Sequence, residues 1–335
     1  MSTIGRQFSN RHVSKLSGYA PALPTPFDDD DRIDGDAFEL LCDLQIRSGA
    51  TALVVCGTTG EASCLLLRER SKLIEIAVDI ARGRVPVIAG AGSNDTERAV
   101  ELTKDAEAHG ADAILSVVPY YNRPAQAGLY KHFRTIAALT GLPVILYDVP
   151  SRTGCALADE TIARLTEAPP HIVGLKDASG DITRPARLRP LVGQDFRLLS
   201  GDDATALGFL ANGGNGCISV TSNVAPALCR NAYAAWSQMQ SVRALRLARV
   251  AGDLTAALFV ESNPAPLKYA LSLFGLMSPH VRLPLVGLSE HAKEEVRYVL
   301  QRLCCGYAGS MIGNIGDRPR ERDRALALCV ERDLI

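Results

Sequence analysis

The 335-residue chain is short of several things that would assign it quickly. No apolar run approaches the ~18–20 residues of a membrane span. The stretch from Ile136 to Val149, one of the longest candidates, is broken by Thr140, Gly141, Pro143 and Asp148. No apolar core of a secretory signal opens the chain. Residues 1–17 carry Arg6, Arg11 and Lys15 and no acid, which reads as a frayed extension in preference to a transit peptide. Charge of one sign is missing too: 36 Lys and Arg against 37 Asp and Glu leave a net charge of −1. A generic nucleic-acid binder needs a basic surplus or stripe to neutralise phosphates, so that class is disfavoured. The nine cysteines include no C-x-x-C pair, which fits small buried hydrophobes in a reducing cytoplasm better than a disulfide framework. There is no G-x-x-x-x-G-K-[ST], no G-x-S-x-G and no H-E-x-x-H, hence no motif for a P-loop, a lipase-type elbow or a zinc protease. Six scattered histidines (His12, His109, His132, His171, His280 and His291) read as surface or cap residues, and no metal is expected.

What is present is a repeated strand–helix pattern. Short apolar runs occur at 19–23, 52–55, 85–89, 113–118, 144–147, 172–175, 196–199 and 217–220. Several are continuous Val/Ile/Leu stretches without alternation, as expected of parallel strands buried on both faces. Amphipathic stretches at 38–46, 72–81 and 98–109 lie between them, the last opened by the cap-like Asn94-Asp95-Thr96-Glu97. Eight such strands in about 200 residues predict an α/β fold of the (β/α)8 TIM-barrel type, with catalytic loops at the C-terminal ends of the strands. An open doubly wound sheet is the competitor. Its support is Gly90-Ala91-Gly92-Ser93-Asn94-Asp95, which lacks the third glycine and follows the third strand instead of the first. After about residue 224 only helices are predicted, at 225–240, 243–259, 266–274 and 290–303. The expected organisation is an N-terminal extension (1–17), a barrel (18–239), a C-terminal helical extension (240–305) and a partly disordered tail (306–335) with a short helix at 323–330.

Polar residues at the C-terminal ends of barrel strands face the mouth where chemistry occurs. Four places qualify: Gly57-Thr58-Thr59-Gly60-Glu61, Pro119-Tyr120-Tyr121-Asn122-Arg123-Pro124, the segment from Tyr147 to Gly154, and Lys176. A lysine ending an apolar strand is unusual. Removal from water disfavours an ammonium, and a neutral amine attacks a ketone to form a Schiff base; a lysine snorkelling to the rim is the structural alternative. Tyr147 lies on the neighbouring strand and supplies a phenol for the proton transfers of imine chemistry. Thr58, Thr59 and their glycines suit a small carboxylate. Arg152 suits a second carboxylate by a bidentate contact, or is a solvated loop arginine. Tyr120 and Tyr121 fill an oligomer interface, a site, or both.

With Ser200-Gly201-Asp202-Asp203 added, these motifs occur in the order and spacing of the dihydrodipicolinate synthase family of pyruvate-dependent class I aldolase-type lyases, which the chain resembles from about Gly18 to Leu303. The resemblance implies that Lys176 forms the imine with pyruvate. It implies that Tyr147 relays protons through Thr58 to Tyr121 of a neighbouring subunit, and that Thr59 holds the pyruvate carboxylate. Arg152 would bind aspartate semialdehyde, and Gly201 and Ile218 would line the site by their backbones. It further implies no cofactor, no metal, a cytoplasmic homotetramer built as a dimer of dimers, and a product feeding lysine and diaminopimelate synthesis. Two alternatives stay open: a sibling such as N-acetylneuraminate lyase or a keto-deoxy-sugar-acid aldolase, and a non-catalytic ligand-binding barrel. Asp148 stands where asparagine is common, but strand geometry turns it away from the face of Tyr147.

Family members inhibited by lysine carry histidine at the position of Leu67 and glutamate at that of Arg98. A leucine cannot hydrogen-bond an ammonium and an arginine repels one, so feedback by lysine is expected to be weak or absent. Initial rates measured against rising lysine check this, and half-inhibition below one millimolar would contradict it.

Overall fold

The computed structural model describes residues 16–167 and 171–307, with side chains through Cys304. The extension at 1–15 and the tail with its expected helix at 323–330 lie outside the described residues. Eight parallel strands form the barrel: β1 (Gly18–Pro21), β2 (Leu53–Val55), β3 (Val87–Gly90), β4 (Ala113–Val117), β5 (Val144–Asp148), β6 (Ile172–Asp177), β7 (Arg197–Ser200) and β8 (Gly216–Ser219). Strands pair consecutively from β2 to β8, and β8 pairs with β1. The last gap, between β1 and β2, is closed by a parallel bridge Ala22–Val54, with the Leu23 N–H donating to Val54 O at 2.9 Å. The TIM barrel expected from the sequence is therefore the fold.

Each strand runs apolar on both faces, and the two faces serve different cores. Ala52 and Val54, Ala113 and Leu115, and Ile145, Tyr147 and Val149 point into the barrel with Ala20, Ile88, Leu199 and Ile218. Their neighbours Leu53, Val55, Ile114, Val144 and Leu146 point outward against the helices. This is the period-two alternation of a strand, and it appears in the sequence as an unbroken apolar run only because helices cover the outside.

The covering helices are α1 (Gly35–Arg47), α2 (Leu67–Ala81), α3 (Thr96–Ala108), α4 (Gln126–Ala138), the single turn α5 (Pro150–Thr153), α6 (Asp159–Glu167), α7 (Arg184–Val192) and α8 (Ala206–Ala211). Side chains cap the first three. Asp34 accepts from Ala37 N, Asp95 accepts from Glu97 N and Arg98 N, and Glu69 reaches back to Leu66 N. After β8 come α9 (Pro226–Ser237), α10 (Ser241–Leu258), α11 (Ala265–Leu273) and α12 (Glu290–Tyr307). Two expectations need correction. α2 begins at Leu67, well before the expected 72, because Glu69 supplies a cap that the apolar pattern does not show. His132 is not a surface histidine: it is buried on α4 with Nδ1 2.9 Å from the Thr96 hydroxyl, and burial pushes it down to about 4.

Directly behind the ends of β5 and β6 lies a buried charge cluster. Asp148 and Asp177 are opposite one another in the ladder and both point outward, onto Arg184 of α7. The guanidinium lies 2.8 Å from Asp148, 3.4 Å from Asp177 and 3.0 Å from Asp159, and it also donates to the Leu157 carbonyl. Burial raises the Asp148 carboxyl above its ordinary range against the pull of Arg184. Removing Arg184 would strand the buried carboxylates of Asp148 and Asp177, Asp159 keeping Arg187, and a change of that kind typically destabilises by about 3–5 kcal/mol. Arg184→Met should show that loss in urea unfolding followed by circular dichroism, with Arg184→Lys intermediate; unfolding unchanged from wild type would refute the role.

Candidate active site

The mouth at the C-terminal ends of the strands holds a cavity of about 500 Å³. Thr58, Tyr120, Tyr147 and Arg152 line it, together with Ser63, Ser93 and Asn263. The in-register pairing of β5 with β6 puts Tyr147 opposite Lys176. Both are 6% exposed, and the lysine Nζ lies 4.3 Å from the centroid of the Tyr147 ring, a cation–π distance. Lys176 is not itself among the lining residues; it contacts the cavity wall through Tyr147. Gly201 follows β7 directly beside it. A Cβ at this glycine would stand 2.9 Å from Lys176 Cε and 3.1 Å from its Cγ, so the absent side chain is the space the lysine stem occupies. Ile218 on β8 is 1% exposed and packs among the inward-facing side chains.

The turn after β2 is held in an uncommon shape. Cys56 and Glu61, its two ends, both have φ +53°. Left-handed backbone at non-glycine residues costs of order 1–3 kcal/mol and persists where the surroundings over-determine it. At the first end, a side chain on Gly90 would collide with the Cys56 carbonyl, so the two backbones run in direct contact. Burial pushes the Cys56 thiol up to about 11, which makes it a packing residue and no nucleophile. At the second end, the fully buried Glu61 carboxylate accepts from Lys268 Nζ of α11 at 2.7 Å and from Arg282 N at 2.9 Å. The Lys268 ammonium also lies 4.3 Å from the Phe27 ring centroid, and burial pushes it down to about 8 against the pull of Glu61. Between the two ends, Thr59 is 3% exposed and its hydroxyl accepts from Asn263 Nδ2 at 3.1 Å.

The remaining positions fall on the rim. Arg152 is exposed on α5, whose first residue is Pro150, and no hydrogen bond or ion pair engages its side chain among the described residues. The loop after β4 is tied down by Asn122, which donates to Asn94 O at 2.9 Å. Tyr120 lines the cavity, whereas Tyr121, with φ +73°, is 91% exposed and does not. The structure thus gathers Tyr147, Lys176, Thr58 and Gly201 near one another, puts Arg152 at the edge, and leaves Tyr121 outside. Asn263, Lys268 and Arg282 did not emerge from the sequence. They lie more than 200 residues beyond the turn they hold, and no motif links them to it. Among the described residues no group of three or more His, Cys, Asp or Glu gathers as metal ligands, and no helix is long and apolar enough to cross a membrane. A second cavity, between α9, α10 and α12, contains none of the expected site residues.

A parallel-stranded barrel with a buried lysine and a phenol paired at its C-terminal mouth belongs to the class of barrel enzymes that act on small molecules at that face. A family model described as the dihydrodipicolinate synthetase family matches residues 15–303. A 4-hydroxy-tetrahydrodipicolinate synthase of Rhizobium meliloti is 48% identical over 281 residues, covering 84% of this chain and 96% of that protein. One from Hyphomonas neptunium is 51% identical over 274 residues, covering 81% and 92%. The structure of dihydrodipicolinate synthase from Aquifex aeolicus superposes with a TM-score of 0.84 at 39% identity, covering 86% of this chain and 98% of that one. That of the Acinetobacter baumannii enzyme, complexed with pyruvate, superposes with a TM-score of 0.83 at 42% identity, covering 85% and 98%. The chain belongs to the dihydrodipicolinate synthetase family.

The buried Glu61–Lys268 pair gives a direct test of how the turn is held. Lys268→Met alone should lower stability by about 3–5 kcal/mol because it leaves Glu61 buried and unpaired. Adding Glu61→Gln should restore most of the loss, and a double-mutant cycle in urea measures the coupling. Simple additivity of the two changes would contradict the pairing.

Proposed function

We propose that the chain is a 4-hydroxy-tetrahydrodipicolinate synthase, a Schiff-base-forming lyase that condenses pyruvate with L-aspartate 4-semialdehyde for lysine and diaminopimelate synthesis. The observation that carries the reading is the adjacency of Lys176 and Tyr147, the amine 4.3 Å from the phenol ring centroid at the barrel mouth. The names of the curated relatives, 46–51% identical to this chain, agree with it.

In this reading the Lys176 amine adds to the pyruvate ketone. The carbinolamine loses water, and the resulting iminium draws electrons from the methyl group. Loss of a methyl proton gives the enamine, whose carbon attacks the semialdehyde carbonyl to form the new C–C bond. The amine of the bound semialdehyde unit then attacks the iminium carbon, closing the ring and releasing Lys176 as a free amine. Tyr147 carries the protons through these steps. Thr58, which lines the same cavity, links it to Tyr121 of a second copy. The 91% exposure of Tyr121 supports that assignment, since such a side chain is placed to leave its own subunit. Thr59 holds the pyruvate carboxylate, and Arg152, unpaired at the rim, takes the carboxylate of the semialdehyde. Gly201 and Ile218 present backbone to the bound substrate. The working form is a cytoplasmic homotetramer, a dimer of dimers, that needs neither organic cofactor nor catalytic metal.

Borohydride reduction in the presence of pyruvate tests the reading. The intact mass should rise by the reduced pyruvate adduct, mapped by peptide analysis to Lys176, and Lys176→Ala should give none. In steady-state assays with both substrates, Tyr147→Phe should lower kcat by about 10²–10⁴, the usual share of general acid–base catalysis. An unmodified mass at saturating pyruvate would instead favour a binding protein.

A further inference from the structure

The segment that follows the barrel lines the mouth with Asn263, Pro284 and Leu285, and of these three side chains that of Asn263 alone can form a hydrogen bond. Its side chain is 5% exposed and lines the cavity. Its Nδ2 donates to Thr59 Oγ1 at 3.1 Å, while its Oδ1 is buried without a partner among the described residues. A hydroxyl has one hydrogen to give. When its oxygen already accepts from an amide, that hydrogen remains available to a second group. No described residue receives it, for no hydrogen bond donated by Thr59 Oγ1 occurs among them. We infer that Asn263 is a positioning residue that sets the polarity of the Thr59 hydroxyl, so that Thr59 meets an incoming carboxylate as a donor. The inference rests on the reading of Thr59 as the carboxylate-holding residue.

Three features make the arrangement specific. The amide donates and the hydroxyl passes the polarisation on, so the two bonds strengthen each other. The same turn is clamped two residues later by Lys268 on Glu61, five residues along from Asn263, so both partners come from the start of α11 and its approach. Neither clamp uses a residue of the barrel strands. The helical extension thereby acts on the substrate's charged end, while the strands hold the reacting amine.

The role predicts selective loss of carboxylate recognition. Borohydride trapping at Lys176 is measured against concentration for two ketones of nearly equal size, pyruvate and its neutral amide, pyruvamide. Asn263→Ala should raise the half-saturating pyruvate concentration by about 10- to 100-fold, the loss expected of one hydrogen bond to a charged group, and leave pyruvamide within about twofold. Asn263→Asp should impair pyruvate further, because a carboxylate at that place takes the Thr59 hydrogen and repels the ligand. Thr59→Val should show the same selective loss, and Asn263→Ala should add nothing in that background. Equal losses for both ketones, or additivity with Thr59→Val, would overturn the inference. Unchanged trapping by both variants would overturn it as well. A wild-type protein that traps neither ketone would instead overturn the functional reading beneath it.

Discussion

Registration of β5 against β6 is the constraint on which the site depends. Tyr147 is paired with Lys176 and Asp148 with Asp177, so one rung of the ladder faces the barrel interior and the next faces the helices. The inward rung carries the amine and the phenol, and the outward rung carries two carboxylates on a shared arginine. Past the irregularity at Val144/Ile145 the side chains alternate, so a one-residue slip of β6 would exchange the faces of Lys176 and Asp177. It would turn the lysine out of the mouth and push a carboxylate in. Arg184 therefore guards the register as well as the charge balance: it engages both strands through the outward rung.

The turn after β2 is governed from elsewhere. Its two left-handed residues are costly, and the parts that hold them are Gly90 beside Cys56 and Lys268 beneath Glu61. The ion pair is fully buried, so its own net contribution to stability is small; what it contributes is a fixed place for the backbone. Seen this way the C-terminal helices are part of the site. Asn263 and Lys268 close the loop from a part of the chain that adds no strand to the barrel.

The barrel was legible because its physics is local. Eight buried apolar runs mark eight strands, and the differences are confined to the ends. Val85 and Pro86 stand before β3, since proline offers no N–H to the ladder, although its carbonyl accepts from Leu53 N. Lys176 and Asp177 extend β6 beyond the apolar run, one held by the mouth and the other by Arg184. Of the helices α4 to α8, none of which was read, α4 and α7 show why. Gly128 weakens the first, and the arginines and prolines of the second hide a face that nevertheless buries Leu188. The adjacency of Tyr147 and Lys176 followed from the neighbouring order of the strands. Asn263 could not be found that way, since only the folded chain brings it to Thr59 from 204 residues away. The burial of His132 was hidden for the same reason: its partner Thr96 sits on another helix.

Under the proposed function Lys176 turns pyruvate into an enamine with Tyr147 as proton carrier. Incubation with pyruvate in D2O, without a second substrate, measures this directly by proton NMR. The account predicts loss of the methyl signal by exchange in the wild type, none above background with Lys176→Ala, and a marked slowing with Tyr147→Phe. Exchange that continues at the wild-type rate in Lys176→Ala, or a wild type that leaves the methyl protons in place, would contradict it.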